Sequence, residues 1–321
     1  MADDQLPGFE PVSDATAKLR ERIEINEQRK TLTAAQRKLL DQSAVIFGEP
    51  ATKQDAAYLP RELVQVTLPH RNPGNVSLWT RSNGNLTVGI QPGMNLTTRE
   101  SYGFPFGTVP RLLLFWITTE AVRTKSARLE LGNSLRGFMA ELGLNSSNGS
   151  SGAKRSDARR LRGQMERLFR ARITFQGTPE RNGQSGEARL DMLVVSASEL
   201  WWSMKDPDQT ALWGSWIELG AKFFDAITAY PVPADTRALR ALKSSALALD
   251  LYAWLTYEAY RAHRSRKPRF ENWTQLHGHI GAEYARPADF RRKAKAALIK
   301  IKTVYPGLKL GDKQGGIQAL S

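Results

Sequence analysis

The chain has 321 residues, with 46 Lys and Arg against 32 Asp and Glu, a formal charge of +14 and no cysteine. That length suits two compact domains of roughly 100–200 residues each, and 41% apolar residues are enough to bury cores rather than leave the chain disordered. Disulfides, thiolate metal centres and cysteine nucleophiles are excluded, and no apolar run approaches the roughly 20 residues of a membrane span.

The acidic start MADDQLPGFEP has no signal-peptide core, which points to a cytoplasmic protein. After loose residues 1–14, AKLRERIEINEQRKTLTAAQRKLLDQSAVIF reads as helical, with Thr33 placed to cap a second segment. Residues 1–60 are therefore expected to form a helical arm. From Leu63 the period changes to two. LVQVTL, VSLWTR and NLTVGIQ predict a small antiparallel sheet, the last two strands joined by a Ser-Asn-Gly turn. Past the Gly/Pro-rich YGFPFGTVP, a helix is predicted from Pro110 to Thr124, with Leu113, Trp116, Ile117 and Glu120 along one side.

The strand ARLELG, the helix SLRGFMAELGL and a Ser/Asn/Gly loop come next. They lead to GAKRSDARRLRGQMERLFRARITFQG (Gly152 to Gly177), a basic helix with eight Lys and Arg that gives way to a strand. The turn-rich TPERNGQSGEA and the strand RLDMLVVS complete a hairpin. Helix, strand, helix, basic helix, hairpin is the order of a winged helix. The aromatic segment LWWSMKDPDQTALWGSWIELG, expected to hold another strand, then leads through KFFDAIT and AYPVPADT to a second copy of the order. Its parts are one long helix, TRALRALKSSALALDLYAWLTYEAYRAH, then the strand end and short helix of RFENWTQLHGHIG, the basic helix RPADFRRKAKAALIKIKTVYP and the hairpin LKLGDKQGGIQAL. The expected fold is α+β and mainly helical. It consists of tandem winged-helix domains, residues 61–200 and 201–321, behind the N-terminal arm.

In the first basic helix Ala158, Leu161, Met165, Leu168 and Phe169 share one face and form its core side. The opposite side carries Ser156, Arg159, Arg160, Gly163, Arg167 and Arg170, with Arg155 just ahead, and is the expected DNA contact. A mid-helix glycine costs about 1 kcal/mol against alanine, and on this face Gly163 would let a phosphate backbone come close. The second basic helix repeats the design, with Phe290, Ala294, Ala297, Leu298 and Ile301 inward. Arg292, Lys293, Lys295 and Lys300 lie outward or on the flanks, and Ile299 interrupts the outer face. The following hairpins add Arg181 and Arg189 in the first copy and Lys309 and Lys313 in the second, placed for flanking phosphates or the minor groove. A single charged helix is most simply a solvated face. Two of them, each followed by a hairpin, favour duplex DNA.

No GxxxxGK[ST] run supports a nucleotide-driven motor, and four His without Cys exclude zinc fingers. His277-Gly278-His279 with Tyr284 superficially matches the metal-binding His pair and nucleophilic Tyr of rolling-circle nucleases. There, however, the intervening residue is bulky and the pair sits on a strand, so no enzymatic activity, cofactor or metal is expected. Trp201, Trp202, Trp213 and Trp216 could stack on a single strand, but the simpler reading is core at a domain junction.

The run from Tyr102 to Leu144, with GAKRSDARRLRGQMERLF after it and LPHRNP before the hairpin, resembles the plasmid-encoded RepA replication initiator proteins, most densely over about residues 60–200. The resemblance implies a protein that binds repeated sites in a plasmid origin, helps to open an adjacent AT-rich segment, and recruits the host initiator and replicative helicase. It further implies tandem winged helices, exchange between dimers and DNA-bound monomers, and a recognition helix over Arg155 to Arg170. The alternative is a dimeric transcription repressor using the first winged helix alone, which would not sustain replication of an origin plasmid in trans.

Overall fold

The computed structural model describes residues 32–144, 157–178, 180–181, 184–202, 214–281, 283–311 and 313–320. Within them the fold is α+β and mainly helical. Helix α1 (Ala34–Gly48) starts at Thr33, whose hydroxyl accepts from the Gln36 amide at 3.3 Å while the Gln36 side chain accepts from the Thr33 amide at 2.9 Å. The two bonds form a capping box and satisfy amides that a helix start would otherwise leave unpaired. Residues 1–31 of the expected arm lie outside the described residues.

Strand β1 (Ala56–Pro60) runs into a short helix, α2 (Arg61–Gln65), where a strand was expected over Leu63–Leu68. The alternation of LVQVTL misleads because one of its two polar members, Thr67, does not face water. Thr67 is as buried as Val66 and Leu68, its hydroxyl receiving a hydrogen bond from Arg81. The hairpin of β2 (Trp79–Asn83) and β3 (Leu86–Gln91) forms as expected, but its two-residue turn is Gly84-Asn85, one position past Asn83-Gly84, with Gly84 at φ +54°.

Helix α3 (Thr108–Thr124) is followed by β4 (Arg128–Gly132), α4 (Leu135–Glu141), the basic helix α5 (Asp157–Phe169) and strand β5 (Arg172–Gly177). A two-rung tip of β6 (Glu180–Arg181) and β7 (Gln184–Ser185) then leads back along β8 (Ala188–Leu193). Strands β2, β3, β5 and β8 make one antiparallel sheet in that order. The expected RLDMLVVS strand divides at Val194, where the chain leaves this sheet. Strand β9 (Val195–Glu199) joins a second sheet, in which β10 (Ser215–Leu219) lies between β9 and β4.

Helix α6 (Ala221–Ala229) and strand β11 (Pro231–Asp235) follow, β11 pairing antiparallel with β1. The long helix expected next is two, α7 (Thr236–Leu242) and α8 (Ala246–Ser265). The Ser245 side chain accepts from the Ala248 amide at 3.2 Å and restarts the helix, a competition with the helical backbone to which serine is prone. Strand β12 (Arg269–Asn272), helix α9 (Trp273–Ile280), the second basic helix α10 (Pro287–Val304) and strands β13 (Leu310–Gly311) and β14 (Gly316–Ala319) complete the chain. Strand β14 is central, pairing with β12 on one side and β13 on the other.

The element order helix, strand, helix, basic helix, hairpin thus occurs twice, at α3–β8 and at α8–β14. One contiguous cluster of buried side chains runs through both copies. A polar network also bridges them. Arg111 of α3 donates from Nε and Nη2 to the two Asp250 carboxylate oxygens of α8, each at 2.7 Å, and from Nη1 to the Pro69 and Gly107 carbonyls. His70 Nε2 is 2.7 Å from the same carboxylate. Close by, Arg81 of β2 pairs with Glu283 at 2.6 Å, and Glu283 also accepts from the His70 amide. Burial alone would raise the Asp250 pKa, but Arg111 and His70 outweigh it and hold the carboxyl below its usual range. Burial is the main cause pushing the His70 pKa down, against its Asp250 hydrogen bond and with Arg111 adding to it.

Candidate nucleic-acid interface

Helix α5 packs on α3 and α4 through Leu161, Met165, Leu168 and Phe169, all buried, with Ala158 half-buried at the edge. Gln164 belongs to this inner side as well. Its Oε1 accepts from the Phe106 amide at 2.9 Å, fixing the glycine-rich segment that leads into α3. The outer side presents Arg159, Arg160 and Arg162, all exposed. Arg160 pairs with Asp157 at 3.1 Å and Arg162 with Glu166 at 3.2 Å, both along the helix surface. Such exposed pairs are weak, about 0–1 kcal/mol, and a phosphate can displace them. Arg162 was not among the expected contacts, although its place two residues past Arg160 in a basic run was a signal for it.

The C-terminal end of α5 differs from the sequence expectation of a uniformly outward row. Arg167 is half-buried, its guanidinium 5.0 Å from the Phe106 ring centroid, and burial pulls its pKa below the usual arginine value. Arg170 stays exposed, with its guanidinium 4.5 Å over the Tyr102 ring. Both lie along the Tyr102–Phe106 segment, so their charge is held in place by aromatic faces. Gly163 is half-exposed, and a Cβ there would meet nothing within 4 Å, so packing does not require the glycine. Arg155 and Ser156 lie outside the described residues.

Beyond α5, Arg181 occupies the tip strand β6, paired through its backbone with Gln184. Arg189 on β8 is exposed and bound to Asp191 at 2.9 Å. The hairpin therefore follows the basic helix with Arg181 in its tip strand and Arg189 on its return strand.

In the second copy Phe290, Ala294, Ala297 and Ile301 seat α10 against α8 and α1, and Ser43 of α1 donates to the Thr303 carbonyl. Arg292, Lys293, Lys295 and Lys300 are exposed as expected, with Arg292 paired to Asp289 at 3.3 Å. Ile299 is 70% exposed among them. The structure adds Arg291 and Lys302, which were not among the expected contacts: with Lys295, at steps of four and seven, they line a groove of about 890 Å³ between α10 and the closing hairpin. Lys313 of that hairpin borders the same groove and sits 4.3 Å over the Phe270 ring. Cations from helix and hairpin thus converge on one channel, as a phosphate backbone beside a groove-bound helix needs.

The histidine pair and the described candidate tryptophans lie away from α5. His279 is buried and bonded to Glu271, and His277 faces the Tyr284 carbonyl at 2.9 Å. The two imidazoles have different partners, and among the described residues no cluster of His, Asp and Glu could hold a metal ion. Trp202 packs on Phe138 at 5.3 Å and donates to the Gly132 carbonyl, while Arg128 lies 4.0 Å over Trp216. Trp201 is 52% exposed, and Trp213 lies outside the described residues. No described helix is long and apolar enough to cross a membrane.

No curated protein matches the chain. Among solved structures, a selenomethionine crystal structure of domains 2 and 3 of RctB is similar with a TM-score of 0.46 at 11% identity, covering 87% of this chain and 96% of that one. Another structure of RctB domains 2–3 gives 0.45 at 12% identity, covering 80% and 94%. The family profile described as plasmid encoded RepA protein matches residues 104–275, which span α3, α5 and its hairpin and reach into α9. By that match over more than half its length, the chain belongs to the plasmid encoded RepA protein family.

Proposed function

We propose that the protein is a non-catalytic replication initiator that binds repeated sequences of a plasmid origin as duplex DNA. Two winged-helix units carry the binding, one within residues 61–200 and the other within 201–321. Helices α5 and α10 enter the major groove, and their hairpins lie on flanking phosphates or in the minor groove. The observation that carries this reading is the repeated placement of an exposed row of cations on the third helix of each copy, followed each time by a hairpin bearing further cations. In α5 the cations are arginines, suited to bidentate contact with guanine, whereas α10 is richer in lysine, suited to phosphate. Membership in the RepA family supports the plasmid setting, the opening of adjacent AT-rich DNA and the recruitment of a host initiator and helicase in the cytoplasm. It also supports exchange between dimers and DNA-bound monomers and a part in plasmid copy control.

A plasmid carrying the origin without the gene tests this reading. It should replicate only when the chain is supplied in trans, and the R159A/R160A variant should fail to maintain it. Replication without the chain would overturn the initiator assignment.

A further inference from the structure

The segment RAHRSRKPR, Arg261 to Arg269, places five Arg and Lys outside both basic helices. It forms the C-terminal end of α8 and the turn into β12, and it borders a groove of about 740 Å³. Across that groove lie Arg61, at the start of α2, and Tyr230, just before β11, with Tyr257 and Tyr260 on the α8 side. No residue of α5 or α10 lines it, so it is separate from the proposed duplex contact.

Its aromatic residues are unusually open. Tyr230 is 63% and Tyr260 55% exposed, although large apolar surface is costly to leave in water. The guanidinium of Arg61 lies 4.6 Å over the Tyr230 ring, and that of Arg261 lies 5.4 Å over Tyr257. Two carboxylates reach these cations: Glu62 pairs with Arg61, and the buried Glu258 pairs with Arg261 and Arg269. Arg264, which lines the groove, and Arg266 and Lys267 in the turn just beyond it are exposed and make no ion pair among the described residues. The groove therefore keeps a positive excess beside its open rings.

We infer that this groove binds an unpaired nucleic-acid strand, with bases stacked on Tyr230 and Tyr260 and phosphates held by Arg264 and its neighbours. An aromatic face stacks on any base, so such a platform tolerates all sequences, and the adjacent cations track the backbone. A duplex hides its base faces within the stack and gains only the charge contact. An acidic peptide would likewise use the arginines and leave the tyrosine faces unused. The inference does not rest on the duplex reading of α5 and α10.

Fluorescence anisotropy of the full chain with labelled dT15, rU15 and an origin duplex tests it. Y230A/Y260A should weaken dT15 or rU15 binding by about tenfold or more, from the known worth of base–aromatic stacking, and leave duplex binding unchanged. Y230F/Y260F should retain single-strand binding, because the ring and not the hydroxyl makes the contact. Tighter binding of dT15 than rU15 assigns the groove to DNA, and the reverse order assigns it to RNA. Unchanged single-strand affinity in Y230A/Y260A would overturn the inference, as would displacement of dT15 by polyglutamate to the same extent in both proteins. Loss of duplex binding in R159A/R160A with dT15 binding intact would separate the two surfaces.

Discussion

Gly163 shows how a single residue separates folding from binding. It sits mid-helix in α5, where glycine is about 1 kcal/mol worse than alanine, yet an added Cβ would meet nothing within 4 Å. The fold gains nothing from its lack of a side chain. G163A is therefore expected to raise stability by up to about 1 kcal/mol in chemical denaturation while weakening origin DNA binding, because in the proposed duplex contact the methyl group would stand in the path of a phosphate backbone. Alanine with unchanged DNA affinity would remove Gly163 from the interface. Arg167 carries the opposite lesson. Its position in the basic run marks it as a contact, but its guanidinium rests on Phe106, so its substitution disturbs packing as well as charge.

Among elements, the contact of α3 with α8 is the one most dependent on polar chemistry. Removing one member of a buried ion pair leaves the other charge unmatched, at a cost of about 3–5 kcal/mol. D250A should destabilise the chain by that amount in urea denaturation, since Arg111 and His70 both lose their carboxylate. The pH dependence has a fixed sign. His70 has a lowered pKa in the folded chain, so the unfolded chain takes up the proton first and stability falls as the pH drops below about 6.5. The Asp250 pKa is also lowered, so its contribution is present above about pH 4 and is lost on further acidification. A stability that stayed flat from pH 7 to pH 4 would contradict this account of the network.

This network also marks the limit of what the sequence makes legible. Helical periodicity and turn chemistry are local, and they locate α1 with its Thr33 cap, α5, α10 and the hairpins, together with the exposed arginines of α5. Arg111 and Asp250 are 139 positions apart and Arg81 and Glu283 are 202 apart. Nothing in the neighbourhood of a lone arginine shows that it will be buried. The insertion of β10 between β4 and β9, and the pairing of β1 with β11, are likewise decided by tertiary packing. The stripe of Arg291, Lys295 and Lys302 was available to helical projection, but only the closing hairpin shows which side of α10 faces the groove.

At the scale of the whole molecule, the shared core and the Arg111–Asp250 link join the two copies of the repeated element order, and the β1–β11 pair and the Arg81–Glu283 link tie in the segments that precede each copy. Two basic helices held on one body define a spacing, and duplex DNA offers its major groove at about 34–36 Å intervals along one face. The most direct test of the account is hydroxyl-radical footprinting of the monomer on the DNA flanking its own gene. The account predicts protection over about 15–25 base pairs, in two patches one helical turn apart on the same face. Substitution of Arg159 and Arg160 should erase one patch, and substitution of Lys295 and Lys302 the other. A single short half-site, unaltered by the α10 substitutions, would contradict it.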